Sequence, residues 1–321
     1  MSTGAPADIV AFHSQFFNVV AELFPSLTDL HYGLTPPEAA GHGWWGLMGR
    51  LRAGPTRLLD RVTDLSGMAG WPRTHRGLDL GCGLGGTSLH LSRRFGFEMV
   101  GVNINRDQLR MAEARLAGRP GADRVTLRHG DVCHLPFADA SFDFAVMIEV
   151  AFHLRDKARL FSEVARVLAP GGRFVLVDQE GRERQEVMGL FWFAAEGDYR
   201  DLAAGAGLDT RAEADLTADV ARWMTDYART ASLPFHAGAV AAALVRGGPD
   251  LAWRYLRGVH YFSRMVLAEL ASRGMRVGLT HPLSGVQLLR RHTAAELERG
   301  TMRYKAFVFD KPGAAPAGAS Q

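Results

Sequence analysis

Gly77-Leu78-Asp79-Leu80-Gly81-Cys82-Gly83-Leu84-Gly85-Gly86 is the stretch of this sequence that decides the fold. A short apolar run, residues 77–80, meets glycines at 81, 83, 85 and 86, and a helical pattern occupies 87–95. The order is strand, tight turn, helix N-terminus. Glycine tolerates positive φ and has no Cβ, so such a turn lets the backbone approach a ligand closely. The spacing alone leaves the ligand open, because Gly81, Gly83 and Gly86 also satisfy the G-x-G-x-x-G pattern of dinucleotide-binding turns.

Working outward, strand and helix patterns alternate. Residues 98–103 read as a second strand and 107–116 as a helix. A third strand, 125–129, ends at Gly130-Asp131, and a fourth, 142–148, ends at Glu149. A helix over 157–168 closes at Pro170-Gly171-Gly172, before a fifth strand at 173–178. This alternation predicts a parallel sheet covered on both faces. Beyond Gln179 the pattern predicts helices over 185–204 with Phe191, Trp192 and Phe193, near 217–230 with Val220, Trp223, Met224 and Tyr227, and over 251–273 with Trp253, Leu256, Val259, Phe262 and Met265. With no strands between them, these helices are expected to cap the sheet. A last strand covers 304–309, and the Pro/Ala/Gly/Ser tail from Pro312 is expected to be disordered.

On the N-terminal side, Ile9, Phe12, Phe16, Val20 and Leu23 form the apolar stripe of a helix over 8–24, stopped by Pro25. Residues 25–54, with His31-Tyr32-Gly33, Pro36-Pro37 and Trp44-Trp45, read as an ordered loop suited to a lid; the alternative is that both tryptophans pack on the domain surface. Another helix is expected over 55–70. The division that follows is an N-terminal helical and lid segment (1–70), a core (71–180), a helical cap (181–300), a final core strand (301–311) and a tail (312–321).

Composition narrows the function. In 321 residues the formal charge is only +3, and lysine occurs only at 157, 305 and 311, so the basic character comes from scattered arginines. No stripe suits nucleic acid or lipid. No apolar run approaches the roughly 18 residues of a membrane span, and the basic-then-apolar order of a signal peptide is missing, so a cytoplasmic protein is expected. Cys82 and Cys133, each in a loop after a strand, cannot form a disulfide framework, and no C-x-x-C or H-E-x-x-H spacing offers a metal site.

Four loops at the carboxyl ends of consecutive strands carry the distinctive residues, the place where an open α/β sheet binds its ligand. They are the glycine loop with Asp79; Asn103 with Asn105 and Gln108; Gly130-Asp131-Val132; and Glu149 to His153. In order and spacing, residues 77–180 resemble the S-adenosylmethionine-dependent methyltransferases. The resemblance implies an α/β, Rossmann-like, doubly wound and mostly parallel seven-stranded sheet with an antiparallel last strand, and S-adenosyl-L-methionine as cofactor. It places Asp79 near the methionine ammonium and the backbone of Gly81, Gly83 and Gly85 against that moiety and the ribose. Asn103 stands where most members carry an acid that takes both ribose hydroxyls; an amide accepts one and donates to the other. Asp131 is implied as acceptor for the adenine amino group, with the Val132 amide at the ring edge, and Gln108 as reaching the ribose or methionine end. Asp131 also reads as a simple turn aspartate.

For the proton released on methyl transfer the candidates are His153, Glu149 and Tyr32. Each has an ordinary alternative: a surface-loop histidine, a structural carboxylate, a packed tyrosine. The Val100-Gly101-Val102-Asn103-Ile104-Asn105 strand end and Asp215-Leu216-Thr217 resemble the sterol and prenyl-diphosphate C-methyltransferases more narrowly. The aromatic inventory of Phe12, Phe16, Trp44, Trp45, Phe191, Trp192, Trp223 and Tyr227 leans toward C-methylation of an apolar, electron-rich small molecule such as an isoprenoid or indole. Alternatives are O- or N-methylation of a polar secondary metabolite, and a non-catalytic cofactor-binding scaffold. Self-association through the N-terminal segment or the cap is a further expectation.

Overall fold

The computed structural model describes residues 5–15, 17–23, 31–36, 43–230, 233–272 and 284–313. Its centre is a parallel run in the order β3-β2-β1-β4-β5, made of β1 (Arg76–Leu80), β2 (Glu98–Asn103), β3 (Val125–His129), β4 (Phe142–Ile148) and β5 (Leu168–Gly181). β1, β2 and β4 are buried nearly throughout, as parallel strands flanked by helices must be, while the edge strand β3 is half-buried to exposed. β9 (Met302–Asp310) pairs antiparallel with β5, and β8 (Asp209–Asp215) pairs antiparallel with β9. The order β3-β2-β1-β4-β5-β9-β8 is the expected seven-stranded core with its antiparallel last strand.

Helices cover both faces. One layer packs α6 (Lys157–Val167) and α7 (Asp198–Gly205) on the sheet, with Phe161, Val164 and Tyr199 against Leu78, Val100 and Phe174. The other packs α3 (Gly43–Ser66), α4 (Gly86–Phe95), α8 (Thr217–Thr230) and α10 (Ser284–Arg299), with Leu58, Leu91, Val220 and Leu297 against Val146 and Val175. α5 (Arg106–Leu116) completes the βα units. A third apolar cluster unites Phe12 of α1 (Ala5–Gln15) and Val19 and Leu23 of α2 (Phe17–Leu23) with Val259 and Phe262 of α9 (Leu233–Ser272). α9 is broken at Gly248, whose φ of 68° and ψ of −163° precede Pro249.

Several local expectations are corrected. Residues 185–204 are not one helix: β6 (Gln185–Val187) and β7 (Phe191–Ala195) form a hairpin before α7, and Glu180 and Gly181 of β5 pair with Ala194 and Ala195. β8 is the seventh strand that the resemblance implied but that no sequence pattern placed, and the stretch 181–215 carries three strands. α3 begins at Gly43, inside the stretch read as loop, and tolerates Pro55 within it. α9 runs well before residue 251, and α10 was not foreseen. The N-terminal helical stretch is described as α1 and α2 on either side of Phe16, which lies outside the described residues, as do Pro25, the side chains of Trp44 and Trp45 and the tail from residue 314. Among the described residues no helix is long and apolar enough to cross a membrane.

Candidate active site

The carboxyl ends of β1 to β4 open into one cavity of about 1090 Å³. Pockets that hold a single drug-sized ligand measure roughly 300–1,000 Å³, so this one lies at the top of that range. Asp79, the glycine loop, Asn103, Asn105, Gln108, Asp131 and Val132 line one part; Tyr32, Glu149, His153 and a wall of phenylalanines line the other. Every site residue read from the sequence except Gly85 therefore lines this one cavity.

The turn after β1 is held by backbone bonds from Gly81 N and Cys82 N to Val102 O, at 2.8 and 3.0 Å. Gly81 has φ of 79°, and a Cβ there would stand 2.5 Å from Val150 Cγ2, so only glycine fits. Gly85 serves packing instead: its missing Cβ faces Leu116 of α5. Asp79 is 3% exposed and accepts from Ser88 Oγ at 2.6 Å on Oδ2. A buried carboxylate lining a cavity is an anionic acceptor already removed from water.

Asn103 ends β2 with its amide oriented by neighbours. Its Nδ2 donates to Gln108 Oε1 at 2.8 Å, and its Oδ1 accepts from Asn105 N at 3.3 Å. Asn105 caps α5, accepting from the N–H groups of Asp107 and Gln108 at 3.0 and 3.2 Å. That leaves Asn105 Nδ2 buried with no hydrogen-bond partner among the described residues, a donor in want of an acceptor. Asp131 makes the turn that was the alternative reading, with Oδ1 accepting from Cys133 N at 2.8 Å and Oδ2 lying 3.2 Å from His134 Nδ1. Each carboxylate oxygen keeps a second lone pair for a ligand. Glu163 of α6 fixes this loop by accepting from Leu135 N at 2.8 Å.

Glu149 follows β4 with φ of 55°, a left-handed conformation uncommon for a non-glycine residue. Its Oε1 accepts from Tyr32 N at 2.6 Å and Tyr304 Oη at 2.7 Å, so the carboxylate ties the N-terminal segment to the sheet. Burial raises its pKa, against the opposing pull of His31 and these two donors. Tyr32 is seated by close contact: Gly33 and Gly54 meet so tightly that a Cβ on Gly33 would stand 2.5 Å from the Gly54 carbonyl carbon. Leu34 N donates to Gly54 O at 3.0 Å.

His153 lies 3.4 Å from Leu190 O through Nδ1. A carbonyl only accepts, so Nδ1 carries the proton and the lone pair sits on Nε2. Burial first, then His13, holds the His153 pKa well below its usual value. His13 stands 5.4 Å away, ring to ring, its own pKa pushed down to about 4 by burial. Both imidazoles are neutral at pH 7. Asp178 fixes this loop by accepting from Phe152 N at 3.1 Å.

The aromatic inventory divides. Phe12 and Phe191 line the cavity, joined by Phe17, Phe152, Phe193 and Phe262, which the sequence reading did not single out for it. Trp223 and Tyr227 stack on each other at 5.0 Å and pack in the core beneath α3. Trp192 is not on the cavity wall. His13 and Asn18 were also missed, and both are hydrogen-bonded to Gln108. No group of three or more His, Cys, Asp or Glu side chains among the described residues is placed to hold a metal ion.

Comparison with known proteins agrees with this geometry. Residues 78–176 match the family described as a methyltransferase domain. The chain is 41% identical over 104 residues to the methyltransferase GfsG of Streptomyces halstedii, covering 32% of this chain and 37% of that protein. It is 34% identical over 158 residues to 27-O-demethylrifamycin SV methyltransferase of Amycolatopsis mediterranei, covering 49% of this chain and 56% of that one. The aligned region thus spans about two fifths to somewhat over half of these relatives' lengths. The solved structure of geranyl diphosphate C-methyltransferase from Streptomyces coelicolor superposes with a TM-score of 0.65 at 18% identity, covering 97% of this chain and 99% of that one. That likeness establishes the shared fold.

Proposed function

We propose that this chain, whose residues 78–176 form a methyltransferase domain, is an S-adenosylmethionine-dependent methyltransferase acting on a small, largely apolar acceptor. The observation that carries the reading is the continuity of the cavity: a buried carboxylate, a glycine turn and three amides on one side run into a phenylalanine-walled chamber with a carboxylate and a neutral imidazole on the other. The residues fit the cofactor. Asp79 is a desolvated acceptor for an ammonium, and Asn105 Nδ2 is a buried donor with no partner among the described residues. When bound, S-adenosylmethionine supplies a methyl group on a sulfonium, an electrophile that needs no further activation.

The chain's own work is to align the acceptor, exclude water and remove one proton. Phe12, Phe17, Phe191 and Phe262 would hold an apolar acceptor, and their faces favour a developing positive charge. His153, with its depressed pKa, stays unprotonated and offers Nε2 to an acid much stronger than itself. A carbon acceptor becomes such an acid once methylated, because the C–H beside a carbocation is strongly acidic, whereas a methylated amine is a weaker acid than an imidazolium and an alcohol must lose its proton to a stronger base. This supports C-methylation of an electron-rich alkene or indole, with O- or N-methylation as the alternative and Glu149, its pKa raised by burial, as the second base candidate. Calorimetry against S-adenosylhomocysteine and NAD tests the cofactor, and tight NAD binding without S-adenosylhomocysteine binding ends the reading. Labelled cofactor offered with indoles, prenyl diphosphates, phenols and amines, followed by NMR location of the methyl, tests the acceptor. A methyl on oxygen sinks the carbon preference.

A further inference from the structure

We propose that Gln108 is a positioning residue that couples filling of the ribose site to docking of the N-terminal helices over the acceptor chamber; this rests on the cofactor reading above. One amide touches both places. Gln108 Oε1 accepts from Asn103 Nδ2 at 2.8 Å, while Gln108 Nε2 donates to Asn18 Oδ1 at 3.1 Å and to His13 Nδ1 at 3.2 Å. Gln108, Asn103 and Asn18 are 4%, 6% and 4% exposed, so water cannot readily replace a lost partner. His13 belongs to α1 and Asn18 to α2, and the His13 ring adjoins His153 in the acceptor chamber.

The relay has a sense. Asn103 directs Oδ1 to the Asn105 N–H and therefore offers Nδ2 to Gln108, whose Oε1 must face it and whose Nε2 must face the N-terminal helices. An inverted Asn103 amide would present oxygen to Gln108. Gln108 would then invert too, setting its Oε1 against Asn18 Oδ1 and the His13 Nδ1 lone pair, acceptor against acceptor. A ribose hydroxyl donating to Asn103 Oδ1 holds the docked orientation. The relay also gives a reason for an amide at position 103, since a carboxylate there has no N–H for Gln108.

Hydrogen-exchange mass spectrometry of residues 5–23, with and without saturating S-adenosylhomocysteine, tests this together with calorimetric affinity. Asn18 lies off the cavity wall, so Asn18→Ala reaches the ligand only through Gln108. By linkage, the factor by which ligand strengthens docking is the factor by which docking strengthens ligand binding. In the wild type the ligand is expected to slow exchange in residues 5–23 by roughly fivefold or more. Asn18→Ala loses that slowing and binds the ligand more weakly by a similar factor. Asn18→Asp, which keeps an acceptor for Gln108 Nε2, retains the slowing, and Asn103→Asp abolishes it while still binding ligand. Equal slowing and unchanged affinity in Asn18→Ala overturn the coupling. Tight wild-type binding with no slowing removes the coupling alone, whereas no wild-type binding removes the cofactor reading and the coupling with it.

Discussion

Replacing Asp79 by asparagine exchanges one oxygen for an amide nitrogen and leaves the shape of the β1 end intact. The side chain is 3% exposed and takes the Ser88 hydroxyl at 2.6 Å. A hydroxyl both donates and accepts, so that bond survives either amide orientation. The substitution removes the negative charge that the proposed ammonium would meet inside the cavity. A hydrogen bond to a charged group contributes about 1.5–3 kcal/mol, so the dissociation constant for S-adenosylhomocysteine should rise by roughly ten- to a hundredfold. The same loss appears in melting. Ligand at a hundred times its wild-type dissociation constant stabilises the fold by about 2.7 kcal/mol, and a thirtyfold weaker variant gains only about 0.9 kcal/mol from it. Calorimetry and a thermal scan should therefore agree: most of the ligand-induced shift disappears while the ligand-free melting temperature stays within a few degrees. Binding within threefold of wild type would refute the reasoning, because it would mean that no cationic group of the ligand meets Asp79. A large drop in ligand-free stability would instead mark Asp79 as a structural carboxylate.

His153→Ala should lower turnover by roughly 10²–10⁴-fold with S-adenosylhomocysteine affinity preserved, and the wild-type acid limb should fall below pH 6.5; a midpoint above that excludes His153 as the titrating base. Gly81→Ala places a Cβ 2.5 Å from Val150 at φ of 79°, so urea unfolding should show a loss of about 2–3 kcal/mol, and an unchanged midpoint would mean the loop relaxes freely. His13 titrates near 6.5 unfolded and about 4 folded, so the unfolded chain binds the extra proton between those values and stability falls as pH drops through that window. At roughly 1.36 kcal/mol per pH unit the bound is about 3 kcal/mol, reduced by the water that reaches the half-buried ring; His13→Leu should flatten the slope, and an equal slope in that variant assigns the loss elsewhere.

The sheet was legible where its information is local. β1, β2 and β4 are mostly apolar runs and β3 an alternating one, each followed by polar or glycine residues that a strand end accommodates, and their limits fall within a residue of the pattern. β8 carries no such signal. Ala212 and Ala214 are its half-buried residues among exposed neighbours, and it exists because β9 offers hydrogen bonds and because Arg200 and Lys305 meet Glu213 at 2.9 and 2.8 Å. The Phe191-Trp192-Phe193 run fits a helix as well as a strand; pairing with Gln185–Val187 and the end of β5 decides for the strand.

The same division runs through the site. Asp79, Asn103 and Asp131 are placed by the strand that carries each of them or leads into it, so a motif in the sequence is already a position in space. Gln108 acquires its partners from residues 90 and 95 positions away, and no pattern around 108 foretells them. The acceptor chamber is of this second kind: α1, α2 and α9 meet through Phe12, Val19 and Phe262, far apart in sequence and outside the matched 78–176. The family match over 78–176 therefore informs the cofactor side and, of the acceptor chamber, only the Glu149-to-His153 edge. It follows that substitutions on the inner faces of residues 5–23 and 251–272 should redirect acceptor choice while leaving S-adenosylhomocysteine affinity intact, except at His13 and Asn18, where Gln108 joins the two halves.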